Sequence, residues 1–123
     1  MSLVIFVDDS ETALANTRMV TDSMPITVKQ YLRATDALTD MRGGMTPDLI
    51  ITDMNMPVMN GFEFLQELRR LPSCARTPVL MLTTETRDDL KAKGKELGLT
   101  GWVVKPFNPA QLKQAISRVL RIA

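Results

Sequence analysis

A chain of 123 residues is the size of one compact domain, and one domain over 1–123 is expected; its 45 % hydrophobic content allows a continuous core without metal or disulfide support. Lys and Arg number 15 against 14 Asp and Glu, a net charge of +1 that leaves no basic excess for direct binding of nucleic acid. The chain has no His, the usual general base, and one cysteine, Cys74, which cannot close an internal disulfide, so any site must work through carboxylates, Lys and hydroxyls.

The first predicted element is a strand over the apolar run Leu3 to Val7, continuous as in a strand buried on both faces. It stops at Asp8 and Asp9. Ser10 is placed to cap a helix whose loose apolar stripe is Ala13, Leu14, Thr17 and Val20. Positions 26–32 alternate as an edge strand, and a second helix over about 35–41 stops at Gly43 and Gly44. Leu49 to Thr52 predicts a third, buried strand ending at Asp53. A helix from near Asn60 follows, with Phe64, Leu65, Leu68 and Leu71 on one side. The fourth strand is expected over 79–82, ending at Thr83 and Thr84. Positions 87–97 read as a helix with a poor apolar face and closely spaced cations, and Trp102 to Val104 as a fifth strand running into Lys105 and Pro106. The last helix has Asn108 as N-cap, Pro109 at the first helical position and a stripe of Leu112, Ala115, Ile116, Val119 and Leu120. Five strand–helix units in succession imply a parallel sheet with helices on both faces. No apolar run reaches the roughly 18 residues of a membrane span and no secretory signal precedes the first strand, so no membrane insertion and a cytoplasmic location are expected.

In an open parallel sheet, ligands bind beyond the carboxyl ends of the strands. Asp8, Asp9, Asp53, Thr83 and Lys105 all fall there, so distant parts of the chain converge on one small site. Carboxylates held within a few ångströms repel by on the order of 4 kcal/mol per pair at 4 Å and an effective dielectric near 20. A bound cation resolves that repulsion, and hard oxygen ligands without His point to Mg²⁺ or the similar Mn²⁺. The bland readings are that Asp8 and Asp9 are a helix-start acidic pair, that Asp53 is an ordinary turn residue, that Met54, Met56 and Met59 pack the loop, that Cys74 is inert, and that Lys91 and Lys95 share a solvated helix face.

The segments VDDS (7–10), ITDMNMPVMNG (51–61), LTTE (82–85) and GWVVKPFNP (101–109) resemble those of bacterial response-regulator receiver domains. The likeness runs the length of the chain and is closest to the stand-alone CheY-type chemotaxis regulators. It implies a flavodoxin-like (CheY-like) α/β fold, with five parallel strands in the order 2-1-3-4-5 and five helices on both faces. It implies that Asp53 is a phosphoacceptor attacking the phosphohistidine of a CheA-type kinase. Asp9 and Asp53 would bind Mg²⁺ directly with the backbone carbonyl of Asn55, and Asp8 through a bound water. Lys105 would pair with Asp53 and then with the phosphoryl oxygens. Thr83 would turn to hydrogen-bond the phosphoryl group, and Trp102 would repack in the space it leaves. The Lys105–Pro106 peptide would be cis. Thr84 stands where a smaller residue is often found and Trp102 where Tyr is commoner. Asn55 and Glu85 match a fairly short-lived phospho-form.

The expected protein is therefore a monomeric signalling switch rather than an enzyme, catalysing only its own phosphorylation and dephosphorylation. With the chain ending at Ala123, its output is expected from its own surface, the region of about 87–121 in this family. The downstream partner would be a flagellar motor switch protein, unless the chain is a phosphate sink that drains the kinase. A phosphatase with an Asp nucleophile would want an acid–base Asp two residues on, where this chain has Asn55. A flavodoxin-like cofactor binder would want a phosphate-cradling loop after the first strand, where this chain has Asp8 and Asp9.

Overall fold

The apolar runs form a sheet because each is too continuous to face water on either side. In the computed structural model, which describes residues 1–122, β1 (Ser2–Val7), β3 (Leu49–Thr52) and β4 (Val79–Thr83) form the buried centre. β2 (Ile26–Tyr31) and β5 (Gly101–Val104) close the two edges. All pairings are parallel, in the order β2-β1-β3-β4-β5 expected from the resemblance. The helices are α1 (Glu11–Thr21), α2 (Ala34–Arg42), α3 (Gly61–Arg70), α4 (Asp88–Glu96) and α5 (Pro109–Leu120). Position 123, where the expected domain ends, lies outside the described residues.

Alternation along the strands sends side chains to opposite faces and so builds a core on each. Ile5, Val7 and Ile50 meet α2 and α3 through Leu38, Met41, Phe64, Leu65 and Leu68. Val4, Phe6, Leu49 and Ile51 face Leu14, Leu112 and Ile116 of α1 and α5. A third, smaller cluster of Met54, Phe62 and Met81 lies under α4 and takes in Leu90, Leu97 and Trp102.

The caps expected at Ser10 and Asn108 form, and Asn60 caps α3 as well. Ser10 Oγ accepts from the Ala13 amide, and Asn60 and Asn108 each build a reciprocal box with the side chain three residues on. Boundaries differ by a residue or so: β4 extends to include Thr83, and α2 runs from Ala34 to Arg42. In α1 it is Thr21 rather than Ala13 that is fully buried, its hydroxyl satisfied by the Thr17 carbonyl at 2.9 Å. A short 3₁₀ turn at Pro72–Cys74 was not anticipated. Arg69 explains how it is held: its guanidinium donates to the carbonyls of Cys74, Thr77 and Gly98 at 2.8 to 2.9 Å, tying the end of α3 to the turns on either side of α4 and β4. Only Gly94 of α4 is fully buried, as the poor apolar face of that segment implied.

Candidate functional site at the carboxyl edge of the sheet

The sheet ladder continues one residue past the strands and sets the site. The Asp8 amide donates to the Tyr31 carbonyl at 3.0 Å, the Asp53 amide to the Val7 carbonyl at 2.9 Å, and the Lys105 amide to the Thr83 carbonyl at 2.8 Å. Because Val7 lies opposite Thr52 in the register, Asp8 and Asp53 leave the sheet side by side. Carboxylate oxygens of Asp8, Asp9 and Asp53 come within 4.8 Å of one another. Asp8 is buried, Asp9 is exposed, and the Asp53 side chain keeps 13 % of its surface open. The donor set is three hard carboxylates with one open side, and it fits Mg²⁺ or Mn²⁺.

Lys105 supplies the nearest positive charge. Its ammonium stands 2.9 Å from Asp8 Oδ2 and 3.7 Å from Asp53 Oδ1. The expected partner was Asp53; the closer one is Asp8, whose other oxygen accepts from the Ser10 amide at 3.0 Å. Asp53 is thus left the less neutralised of the two. Its carboxyl is pushed above the ordinary range, chiefly by burial; Lys105 opposes the shift, while Asp8 and Asp9 add to it.

Thr83 and Trp102 are joined through one backbone unit that the sequence did not single out for this purpose. Thr83 is fully buried, and its hydroxyl accepts from the Glu85 amide at 3.2 Å. The Trp102 indole donates to the Glu85 carbonyl at 2.9 Å, while its ring stands 6.3 Å from that of Phe62 in a tilted arrangement. Thr84 points to solvent, as does Asn55. The Lys105–Pro106 peptide is cis. Met54 is buried under α4, and Met56 and Met59 pack on the α2/α3 core. Lys91 and Lys95 border the surface beside Trp102.

Two features of the β3–α3 turn are not legible in the sequence. Gly61, at the start of α3, presses so closely on the site that a Cβ there would lie 2.7 Å from the Asp53 carbonyl oxygen. An Asn-Gly pair is a turn signal in sequence, but it does not show this approach. Val58 has φ 70° and is 94 % exposed. The Met59 amide bonds the Pro57 carbonyl at 2.8 Å across it, closing a three-residue turn. A left-handed conformation costs a side chain about 1–2 kcal/mol, and a β-branched one is the least suited to it.

The sheet order, the acidic cluster and the facing Lys define one site at the carboxyl edge, and comparison with known proteins gives the chain a family. Residues 4–117 match the model of the response regulator receiver domain. The chain belongs to that family, the receiver domains of two-component signalling systems, which work with histidine kinases and bind Mg²⁺ through an acidic pocket. Over 97 % of its length it is 40 % identical to the chemotaxis protein CheY4 of Vibrio cholerae, whose structure superposes with a TM-score of 0.90 over 98 % of that chain. It is 38 % identical over 72 residues to the chemotaxis protein CheY of Pseudomonas aeruginosa, 58 % of each chain. It is 31 % identical over 121 residues to the cyclic di-GMP phosphodiesterase response regulator RpfG of Xanthomonas campestris pv. campestris, 97 % of this chain and 32 % of that protein. The chain thus spans about a third of one of these curated relatives and little more than half of the other. Among the described residues, no helix is long and apolar enough to cross a membrane.

Proposed function

We propose that this chain is a phosphorylation-dependent switch in which Asp53 accepts a phosphoryl group from the phosphohistidine of a CheA-type kinase, in a cytoplasmic chemotaxis pathway. The observation that carries this reading is the convergence of Asp8, Asp9 and Asp53 within 4.8 Å, with the Lys105 ammonium beside them. The chemotaxis setting is supported by the likeness to the CheY proteins of Vibrio cholerae and Pseudomonas aeruginosa.

Asp53 is the nucleophile: its free carboxylate oxygen forms the new O–P bond as the P–N bond of the phosphohistidine breaks. Asp8, Asp9, Asp53 and the Asn55 carbonyl are the groups that would hold Mg²⁺ or Mn²⁺, which when bound neutralises charge on the phosphoryl oxygens. Lys105 is already held by Asp8 at 2.9 Å and needs only a small swing toward Asp53 to meet a phosphoryl oxygen. Thr83 then exchanges the Glu85 amide for the phosphoryl group as its hydrogen-bond partner. Releasing that amide frees the Glu85 backbone, whose carbonyl holds the Trp102 indole, so the state of Asp53 reaches the surface at α4 and β5. Lys91 and Lys95 on that surface make it more charged than an apolar motor-binding patch would require, which favours a phosphate-sink role as the second reading.

The indole is the built-in reporter, since this is the one Trp of the chain. Addition of Mg²⁺ and beryllofluoride, a mimic of the phosphorylated aspartate, is expected to change its fluorescence intensity or maximum in the wild-type chain and to leave Thr83→Ala nearly silent. A folded wild-type chain without a response contradicts the switch.

A further inference from the structure

We propose that the groove between the β2–α2 and β3–α3 turns is a docking surface for the phosphodonor protein, with Val58 as its apolar anchor and Arg33 as its charged one. This rests on the reading of Asp53 as the phosphoacceptor. The groove measures about 280 Å³ and is lined by Leu32, Arg33, Met56, Pro57, Val58 and Met59, with Leu32 itself 42 % exposed.

Two local conflicts meet in this groove. Val58 holds a β-branched side chain at φ 70° while almost wholly exposed, so no packing of that side chain offsets the strain. Asn or Gly would take this position at lower cost. Arg33 occupies the N-cap of α2, where it makes no capping hydrogen bond and where a cation opposes the positive end of the helix dipole. Among the described residues it joins no ion pair within 4 Å. Residues that break local rules without an internal return are expected where a function outside the fold requires them. An exposed apolar side chain beside an unpaired guanidinium suits a protein surface carrying an apolar residue and a carboxylate.

The position in the fold selects the occupant. Val58 is on the turn that leaves Asp53, so the groove opens at the carboxyl edge of the sheet, where any phosphohistidine must arrive. It lies toward the β2 edge, whereas Trp102 is on β5 at the opposite edge. A protein seated there reaches Asp53 without covering the Thr83–Glu85–Trp102 linkage.

Two phosphodonors separate docking from chemistry, because acetyl phosphate needs no protein surface. A radiolabelled CheA-type kinase, chosen because it labels the wild-type chain, is compared with acetyl phosphate on Val58→Asn, Val58→Gly and Arg33→Glu. Transfer from the kinase is expected to slow at least tenfold in each variant. Labelling by acetyl phosphate is expected to stay within twofold, and the melting temperatures of the two Val58 variants not to fall below wild type. Kinase transfer within twofold of wild type in both Val58 variants would overturn the docking role. So would an equal loss with acetyl phosphate, which would place Val58 in the acceptor geometry itself. Label from the kinase that persists undiminished on a folded Asp53→Asn chain would instead remove the phosphoacceptor reading, and this inference with it.

Discussion

Gly61→Ala is expected to destabilise the fold by about 2–3 kcal/mol, toward the upper part of the range for overpacked sites. The added Cβ would lie 2.7 Å from the Asp53 carbonyl oxygen, 2.7 Å from Met81 Sδ and 2.9 Å from Met54 Cα. Two of those three neighbours are backbone, so they cannot step aside as a flexible side chain can. The Gly61 amide is also tied to the Met54 carbonyl at 2.8 Å, which resists moving the helix away. Alanine is the better helix former by under about 1 kcal/mol, too little to offset the clash. The expected reading is a melting temperature lower by roughly 10 °C, together with slower phosphorylation because the Asp53 backbone is displaced. A variant as stable as the wild type would show that the β3–α3 turn yields without cost.

Asp53→Asn is expected to reverse its order of stability with the wild type when a divalent cation is added. Without metal, the Asp53 carboxyl holds its proton more tightly in the folded than in the unfolded chain, chiefly through burial and against the pull of Lys105. The folded state therefore binds more protons than the unfolded state over the window from the usual carboxylate pKa up to the raised value, and stability falls as pH rises through it. Above that window the wild type carries the full penalty; below the unfolded pKa it carries none. In EDTA at neutral pH, Asp53→Asn is expected to be the more stable by about 1 kcal/mol, a figure kept small because solvent screens the open side of the site. That gap is expected to close on acidification toward pH 4. Mg²⁺ at a hundredfold excess over its dissociation constant would then raise the wild type by about 2.7 kcal/mol and Asp53→Asn by much less. Urea denaturation at two pH values, with and without Mg²⁺, checks both halves. A gap that ignores pH, or an equal gain from Mg²⁺, contradicts the assigned charge balance.

The parts of this molecule legible in its sequence are those set by short-range physics. The span of β3, Leu49 to Thr52, emerges from an apolar run bounded by polar residues, and α5 from Asn108, Pro109 and a regular stripe. The convergence of Asp8, Asp53 and Lys105 was legible because parallel strands deliver their carboxyl ends to one edge. What stayed hidden depends on distances between distant segments. No local pattern says that Lys105 will sit nearer Asp8 than Asp53, since that choice follows from where β5 meets β4. Arg69 looks like one more surface cation until the folded chain brings three carbonyls from separate turns around it. Glu85 joins Thr83 to Trp102 through its backbone, which its side chain does not advertise. The strain at Val58 is likewise a backbone property, at a position where the sequence shows only an apolar residue after proline.

The central claim is that Asp53 takes up the phosphoryl group, and peptide mapping by mass spectrometry after incubation with Mg²⁺ and acetyl phosphate tests it most directly. One phosphoryl group on the peptide that contains Asp53, lost in EDTA and absent from Asp53→Asn, is the predicted result. Undiminished incorporation by a folded Asp53→Asn chain, or a phosphoryl group mapped to another residue of the wild type, would contradict it.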